Sequence, residues 1–216
     1  MTPPRPLVGV ITTWLGLAFV TVIVRFHLIP LFPHPYWAYM ELLFVGLIPV
    51  LFTIFRGEDW SRYGISRMGL ANSIAWSLLF VAVTYCYYRF EDGQWIWRDF
   101  YPMHSTLSVP ATIYYALLEV FSYGPLEVFF IVWLVRNTED IFLGKSWSFL
   151  LSLTVTAILY GLSHFVFQRF IAALEVGITC CILTLIFKHT KNSIGPMIAW
   201  SLINGQVWQG ASMLWS

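Results

Sequence analysis

The chain has 216 residues, of which 58% are hydrophobic and 11% are charged, and its formal net charge at pH 7 is +1. A soluble globular domain carries about 25% charged residues, so this composition excludes an ordinary water-soluble protein. The near-neutral balance also excludes the basic surface that nucleic-acid binding requires, and we expect no nucleic-acid partner. The sequence therefore predicts an integral membrane protein whose solvent is membrane lipid.

Long apolar runs recur along the chain and are typical of helices that cross a membrane. Such a helix needs about 20 apolar residues, and its backbone groups must be hydrogen-bonded within the segment. We predict an all-α fold in which the whole chain, 1–216, is a single membrane domain and a polytopic transmembrane helical bundle. About seven helices are expected, at 7–28, 36–55, 71–89, 109–135, 147–167, 170–187 and 194–214.

The first apolar run has no small-residue cleavage site, so we expect it to be retained as a helix. With seven helices, the basic residues divide unevenly between the two sides of the membrane. The side that holds the N-terminus carries Arg5, Arg56, Arg62, Arg67, Arg136, Lys145, Lys188 and Lys191. Because basic residues are enriched in cytoplasmic loops, the sequence predicts a multi-pass protein with a cytoplasmic N-terminus.

Ionisable side chains within apolar helices are the candidates for chemistry, because a charge at bilayer depth is costly and often functional. The fourth predicted helix contains Gly124-Pro125 just before Glu127, and proline kinks or breaks a helix. If a half-helix restarts at Pro125, its positive end would stabilise the Glu127 carboxylate, while burial would oppose its ionisation. A carboxylate under these two opposed influences would suit a general base. The alternative is a protonated glutamate that bonds a neighbouring helix. The candidates are Glu41, Glu119, Glu127, His164 and Glu175, with Asn204 as a polar companion.

Three segments follow one another in a recognisable order: Leu126-Glu127-Val128-Phe129-Phe130-Ile131, Tyr160-Gly161-Leu162-Ser163-His164 and Trp200-Ser201-Leu202-Ile203-Asn204. This order resembles the CPBP family, the CAAX-protease and bacteriocin-processing (Abi) group of intramembrane endopeptidases. Its members typically contain Glu-Glu-x-x-x-Arg, then Phe-x-x-x-His, then His-x-x-x-Asn. The resemblance covers about residues 109–210, which we term the CPBP-like core.

The resemblance implies peptide-bond hydrolysis within the membrane, on a peptide or membrane-protein substrate. Glu127 and His164 would activate a water molecule, while Trp200 and Asn204 would polarise the scissile carbonyl as an oxyanion hole. Trp200 stands at the family's histidine position and retains an N–H donor for that task. No cofactor is expected, and one histidine, one carboxylate and one amide make a poor metal site.

Three residues depart from the family pattern and motivate an alternative. The first glutamate of the pair is Leu126, the arginine is Ile131, and the third-motif histidine is Trp200. The carboxylate and the arginine that balances its charge are both absent, which fits a site that has lost its catalytic function and is filled by apolar side chains. The alternative is therefore a catalytically inactive relative that acts as a membrane binding or assembly partner.

A transporter or pigment-binding protein is a third interpretation. Glu119, Glu127 and Glu175 would then relay protons, or His164 would ligate a macrocycle. No inverted repeat is visible in the sequence, which weighs against the transporter. By default, Glu41, Glu119 and Glu175 are expected to be structural.

Overall fold

The computed structural model describes residues 6–23, 39, 42–92, 109–142, 145–165 and 170–204. Over these residues the fold is all-helical and contains no strand, which confirms the predicted all-α class. Predicted helical residues 24–28, 36–38, 40–41, 166–167 and 205–214 lie outside the described part of the chain, and Glu41 is among them.

The described residues form eight α-helices and two π-helical segments. Helix α2 continues directly from the π-helical segment Leu42–Leu47, and the π-helical segment Ser122–Leu126 joins α4 to α5 without a break. When each π-helical segment is counted together with the α-helices that it joins, the α-helices form seven continuous helices, in the predicted order. The α-helices are α1 Pro6–Ile23, α2 Ile48–Phe55, α3 Leu70–Asp92, α4 Val109–Phe121, α5 Glu127–Ile141, α6 Ser148–Phe165, α7 Phe170–Thr190 and α8 Ile194–Ile203.

Three helical stretches are long and apolar enough to cross a membrane: Leu70–Phe90, Leu117–Ile141 and Ala173–Thr190. The other apolar stretches among the described residues have 10–17 residues each. An 18-residue window of Leu117–Ile141 is 72% buried, whereas such a window of Leu70–Phe90 is only 17% buried. Helix α5 is therefore the central helix of the fold, and α3 is a peripheral one.

Small residues allow α6 and α7 to pack closely. A Cβ atom added at Gly161 would lie 3.2 Å from the carbonyl oxygen of Ala173, and one added at Gly177 would lie 3.3 Å from that of Ala157. Small residues four apart on facing helices are a common means of close packing in membranes. This contact fixes α6, which carries the second motif, against α7.

Charged side chains gather at one end of the bundle, where α2, α5 and α7 end and α3, α6 and α8 begin. We call this the polar end. Helix α5 continues to Ile141, beyond its predicted end at 135, because the polar side chains of its last turns are paired there. The pairs are Arg136–Glu139 at 2.7 Å, Lys188–Glu139 at 2.6 Å and Arg62–Asp140, with Arg56 Nη1 donating to Asn137 at 3.1 Å.

Asn192 ties the loops at the polar end together. Its Nδ2 donates to the carbonyl oxygens of Ser66 and Met68 at 2.7 and 3.0 Å, and its Oδ1 accepts from the amide of Ile194 at 2.9 Å. Because Ile194 begins α8, these bonds fix the start of that helix against the loop before α3. They thereby set the position of Trp200, about 9 Å further along α8.

Candidate functional site

The carboxylate of Glu127 is a meeting point of three helices. The phenol of Tyr160, on α6, donates to Glu127 Oε1, and the indole N–H of Trp200, on α8, donates to Oε2. Glu127, Tyr160 and Trp200 are 3%, 2% and 7% exposed. Burying a carboxylate is costly unless donors replace its hydration, and these two donors do so. We call this arrangement the Glu127 cluster.

Chain direction explains why residues so distant in sequence meet. Helix α5 runs from Glu127 to the polar end, whereas α6 and α8 run from the polar end towards Glu127. Antiparallel packing of α5 against both helices therefore places the first motif beside the second and third. Of the predicted site residues, Glu127 and Trp200 are in direct contact.

His164 and Asn204 lie one helical turn beyond Tyr160 and Trp200. The Nδ1 atom of His164 is 2.9 Å from the Tyr160 carbonyl oxygen, and the two rings are 4.7 Å apart between centroids. A hydrogen bond there requires the proton on Nδ1, which makes Nε2 the acceptor of a neutral ring. Asn204 Nδ2 donates to the carbonyl oxygen of Tyr123 at 3.3 Å, one turn before Glu127. His164 and Asn204 therefore each have a hydrogen bond to the backbone of this site, and the His164 ring also packs against that of Tyr160.

The helix does not break at Gly124-Pro125. Leu126 and Glu127 both have right-handed helical backbone angles, φ −72°, ψ −38° and φ −65°, ψ −42°. Pro125 has no amide hydrogen, and the wider π-helical turn at Ser122–Leu126 accommodates that missing donor. A half-helix that restarts at Pro125 is therefore not present, and Glu127 does not lie at a free positive helix end.

Apolar packing fills the positions where the family pattern has a second carboxylate and an arginine. Leu126 is 8% exposed and Ile131 is 1% exposed. Leu126 packs against the other π-helical segment, where a Cβ at Gly46 would lie 2.5 Å from its Cδ1 atom. Glu127 is therefore the only acidic residue within this first-motif segment, 126–131.

The other glutamates lie apart from the Glu127 cluster. Glu119, on α4, is 4% exposed, and Glu175, on α7, is half-buried. Within the described residues neither makes a hydrogen bond or an ion pair to Glu127. A proton relay through the three glutamates thus has no connection in this part of the chain. Among the described helices, no three His, Cys, Asp or Glu side chains are grouped to hold a metal ion.

Tyr160 is the contact that the sequence analysis missed. It stands at the aromatic position of the second motif, where the family pattern has phenylalanine, and was given no role there. The signal was present, because a phenol buried in an apolar helix needs a hydrogen-bond partner. Its partner could be named only once the fold placed α6 against α5.

Comparisons with protein-family models, with curated proteins and with solved structures found no match. The resemblance to the CPBP family is therefore carried by the order and spacing of the three motifs.

Proposed function

We propose that this chain is an intramembrane endopeptidase of the CPBP type, which hydrolyses a peptide bond of a peptide or membrane protein. The observation that carries the proposal is the Glu127 cluster. Tyr160 and Trp200, from the second and third motifs, meet on the one acidic side chain that the first motif retains. Such convergence is expected if the motifs form one site, and it is not required if they are unrelated stretches of three helices.

Glu127 is the general base in this proposal. Its carboxylate removes a proton from a water molecule, whose oxygen attacks the carbonyl carbon of the scissile bond. The same proton then passes to the departing nitrogen, so that one water molecule is consumed for each bond cleaved. A carboxylate oxygen can accept more than one hydrogen bond, so the bond from Tyr160 does not by itself prevent Oε1 from accepting from water.

His164 is the partner of Glu127 in water activation, and Trp200 and Asn204 supply donors to the oxyanion. In the present arrangement the Trp200 indole donates to Glu127 and the Asn204 amide donates to the Tyr123 carbonyl. An oxyanion role for these two residues therefore requires the substrate carbonyl to replace those acceptors. The base role of Glu127 does not depend on that exchange.

We also propose that the chain crosses the membrane several times as a seven-helix bundle with the N-terminus in the cytoplasm. The polar end supports this orientation, because basic side chains collect there: Arg56, Arg62, Arg67, Arg136, Lys145, Lys188 and Lys191. The test is modification of the exposed Lys145 and Lys191 by an impermeant amine reagent. Inside-out vesicles should be labelled and right-side-out vesicles should not, whereas the reverse pattern would reject the orientation.

The activity is tested with purified protein in lipid vesicles and a library of membrane-anchored peptides. We expect Glu127→Ala and His164→Ala each to abolish cleavage while the protein stays folded. Glu119→Ala is the matched control, because Glu119 is a buried carboxyl on the same continuous helix, outside the cluster. Full activity in either site variant, or equal loss in the control, would reject the assignment.

An inactive relative that binds a membrane partner is the second candidate. It is favoured by the engagement of both Glu127 oxygens and by the apolar packing of Leu126 and Ile131. In that case the Glu127 cluster holds three helices together and the surrounding surface binds a peptide or another membrane protein. This candidate predicts a complex that survives gentle solubilisation without turnover, and cleavage by the purified wild-type protein would dismiss it.

A further inference from the structure

Two exposed basic residues lie next to each other at the polar end, where α7 ends and α3 begins. Asn192 Nδ2 donates to the carbonyl oxygens of Ser66 and Met68 at 2.7 and 3.0 Å. Arg67 is the residue between those two carbonyl groups, and Lys191 immediately precedes Asn192. The backbone at Arg67 therefore lies against the backbone at Lys191, and we call these two residues the basic pair.

The basic pair differs from the other basic residues beside it in having no acidic partner. Ion pairs engage Arg56, Arg62, Arg136 and Lys188. Within the described residues, the side chains of the basic pair make no ion pair and no hydrogen bond, and both are exposed. Their positive charge is therefore not neutralised by this part of the protein, and it is complementary to the charge of a phosphate group.

An aromatic pair lies next to the basic pair, on the same two helices. The rings of Trp76, on α3, and His189, on α7, meet edge to face with their centroids 6.1 Å apart. Trp76 is 50% exposed, and His189 is exposed as well. Both rings carry N–H donors, and tryptophan is enriched where lipid headgroups meet the acyl chains. Because His189 precedes Lys191 by two residues, these donors lie at the same end of the bundle as the basic pair.

Exposed apolar side chains continue from the aromatic pair along both helices. On α3, Leu79 and Val83 follow Trp76 by three and seven residues, and they are 53% and 58% exposed. On α7, Leu185 precedes His189 by four residues and is 49% exposed. Residues at these spacings share one helix face. Both helices are also long and apolar enough to cross a membrane, so this surface has a charged end and an apolar length.

We propose that the junction of α3 and α7 at the polar end binds an anionic phospholipid, with Arg67 and Lys191 at its phosphate and Trp76 where the headgroup meets the acyl chains. Basic pockets between transmembrane helices are known to bind lipid headgroups. One phospholipid supplies both the phosphate and the acyl chains that this surface fits, whereas a soluble phosphate would use the basic pair alone. The site rests on the membrane placement within the proposed function and requires no hydrolysis.

The test is lipid binding to the purified protein in a neutral detergent, measured by native mass spectrometry. Dioleoylphosphatidylglycerol is the anionic probe, and dioleoylphosphatidylcholine has the same acyl chains without net charge. The wild type should bind phosphatidylglycerol more tightly. One basic residue near an anionic headgroup strengthens binding by about fivefold. Arg67→Gln and Lys191→Gln should each weaken phosphatidylglycerol binding by about that factor and leave phosphatidylcholine binding unchanged.

Lys145→Gln is the matched control, because Lys145 is an exposed basic residue at the polar end, in the loop between α5 and α6. It removes the same charge away from the junction and should leave the preference for phosphatidylglycerol in place. An equal loss in Lys145→Gln, or a wild type without that preference, would overturn the proposal.

Glycerol phosphate separates a lipid site from a site for soluble phosphate, because it has the headgroup chemistry without acyl chains. It should not displace phosphatidylglycerol from the wild type, and displacement would overturn the assignment to a lipid. Neither measurement needs a peptide substrate. A protein that binds phosphatidylglycerol but cleaves nothing would therefore reject the proposed hydrolysis and leave the lipid site intact.

Discussion

The phenol of Tyr160 donates a hydrogen bond to the carboxylate of Glu127 across the interface between α6 and α5, 33 residues apart in sequence. Both side chains are buried, so the bond joins two helices where no water competes for it. It is the contact of the second motif with the first, and it orients the carboxylate against α6. The hydroxyl is absent from the phenylalanine that the family pattern has at this position.

Tyr160→Phe removes this hydroxyl and leaves the ring. A hydrogen bond to a charged group contributes about 1.5–3 kcal/mol, and we expect the free energy of unfolding to fall by about that amount. Reversible unfolding of the purified protein in mixed micelles measures the change. A loss below about 0.5 kcal/mol, which is the range of ordinary surface substitutions, would contradict the burial and orientation of the Tyr160 bond.

Substitutions at two glycines with similar backbone angles distinguish the cost of backbone strain from the cost of a steric clash. Gly57 and Gly69 have φ values of +60° and +67°, which any L-residue adopts only at a cost of about 1–2 kcal/mol. A Cβ at Gly57 meets nothing within 4 Å, whereas one at Gly69 would lie 2.0 Å from the carbonyl oxygen of Thr190. We expect Gly57→Ala to cost about 1–2 kcal/mol and Gly69→Ala clearly more. The same unfolding measurement compares them, and equal losses would refute the packing of α3 against the end of α7.

Asn192 holds the loops at the polar end through three hydrogen bonds, two of them donated to backbone carbonyls. Asn192→Asp replaces those donors by acceptors facing the carbonyl oxygens of Ser66 and Met68. A buried, unpaired group costs about 1–3 kcal/mol, and more when charged, so we expect a loss of at least 3 kcal/mol. Asn72→Asp is the same chemical change at an exposed position in the first turn of α3 and should be nearly neutral. Tolerance of aspartate at 192 would contradict these contacts.

Asp59 caps the short helical turn Trp60–Tyr63 in the loop between α2 and α3. Its side chain accepts from the Ser61 hydroxyl at 2.6 Å and the Ser61 amide at 2.9 Å, and these bonds lower the pKa of Asp59 below its usual 3.8. A lowered pKa means that the cap stabilises the fold above 3.8 and is lost as pH falls through the lower folded value. The Ser61 amide resonance should therefore titrate with a midpoint below 3.8. A midpoint at or above 3.8 would contradict the cap, and Asp59→Asn should abolish the titration.

The helices and the motif positions could be predicted from the sequence, because apolar periodicity and length are local properties. The two π-helical segments could not, since they depend on how Gly46 and Gly124 pack against Leu126 and Ser201. Pro125 indicated a disturbance, but proline alone does not distinguish a break from a widened turn. Only the backbone of the folded protein shows that the helix continues through Pro125.

The hydrogen-bond partner of each polar side chain likewise could not be predicted from the local sequence. Trp200 was predicted to donate to the substrate, and in the structure its indole donates to Glu127. His164 and Asn204 were expected to share a cavity with Glu127; His164 contacts the carbonyl oxygen of Tyr160, and Asn204 that of Tyr123, one turn before Glu127. Side-chain rotation and helix register set these contacts, and both follow from packing across helices. Whether these residues act in hydrolysis stays a prediction.

The most direct test of the proposed function is cleavage of a membrane-anchored peptide by the purified protein in H₂¹⁸O. Hydrolysis through water activated by Glu127 predicts products in which the new C-terminus contains one ¹⁸O atom. Wild-type protein should generate them, Glu119→Gln should do so at a similar rate, and Glu127→Gln should generate none. Absence of labelled product from the wild type, or equal product from Glu127→Gln, would contradict the assignment of Glu127 as the base.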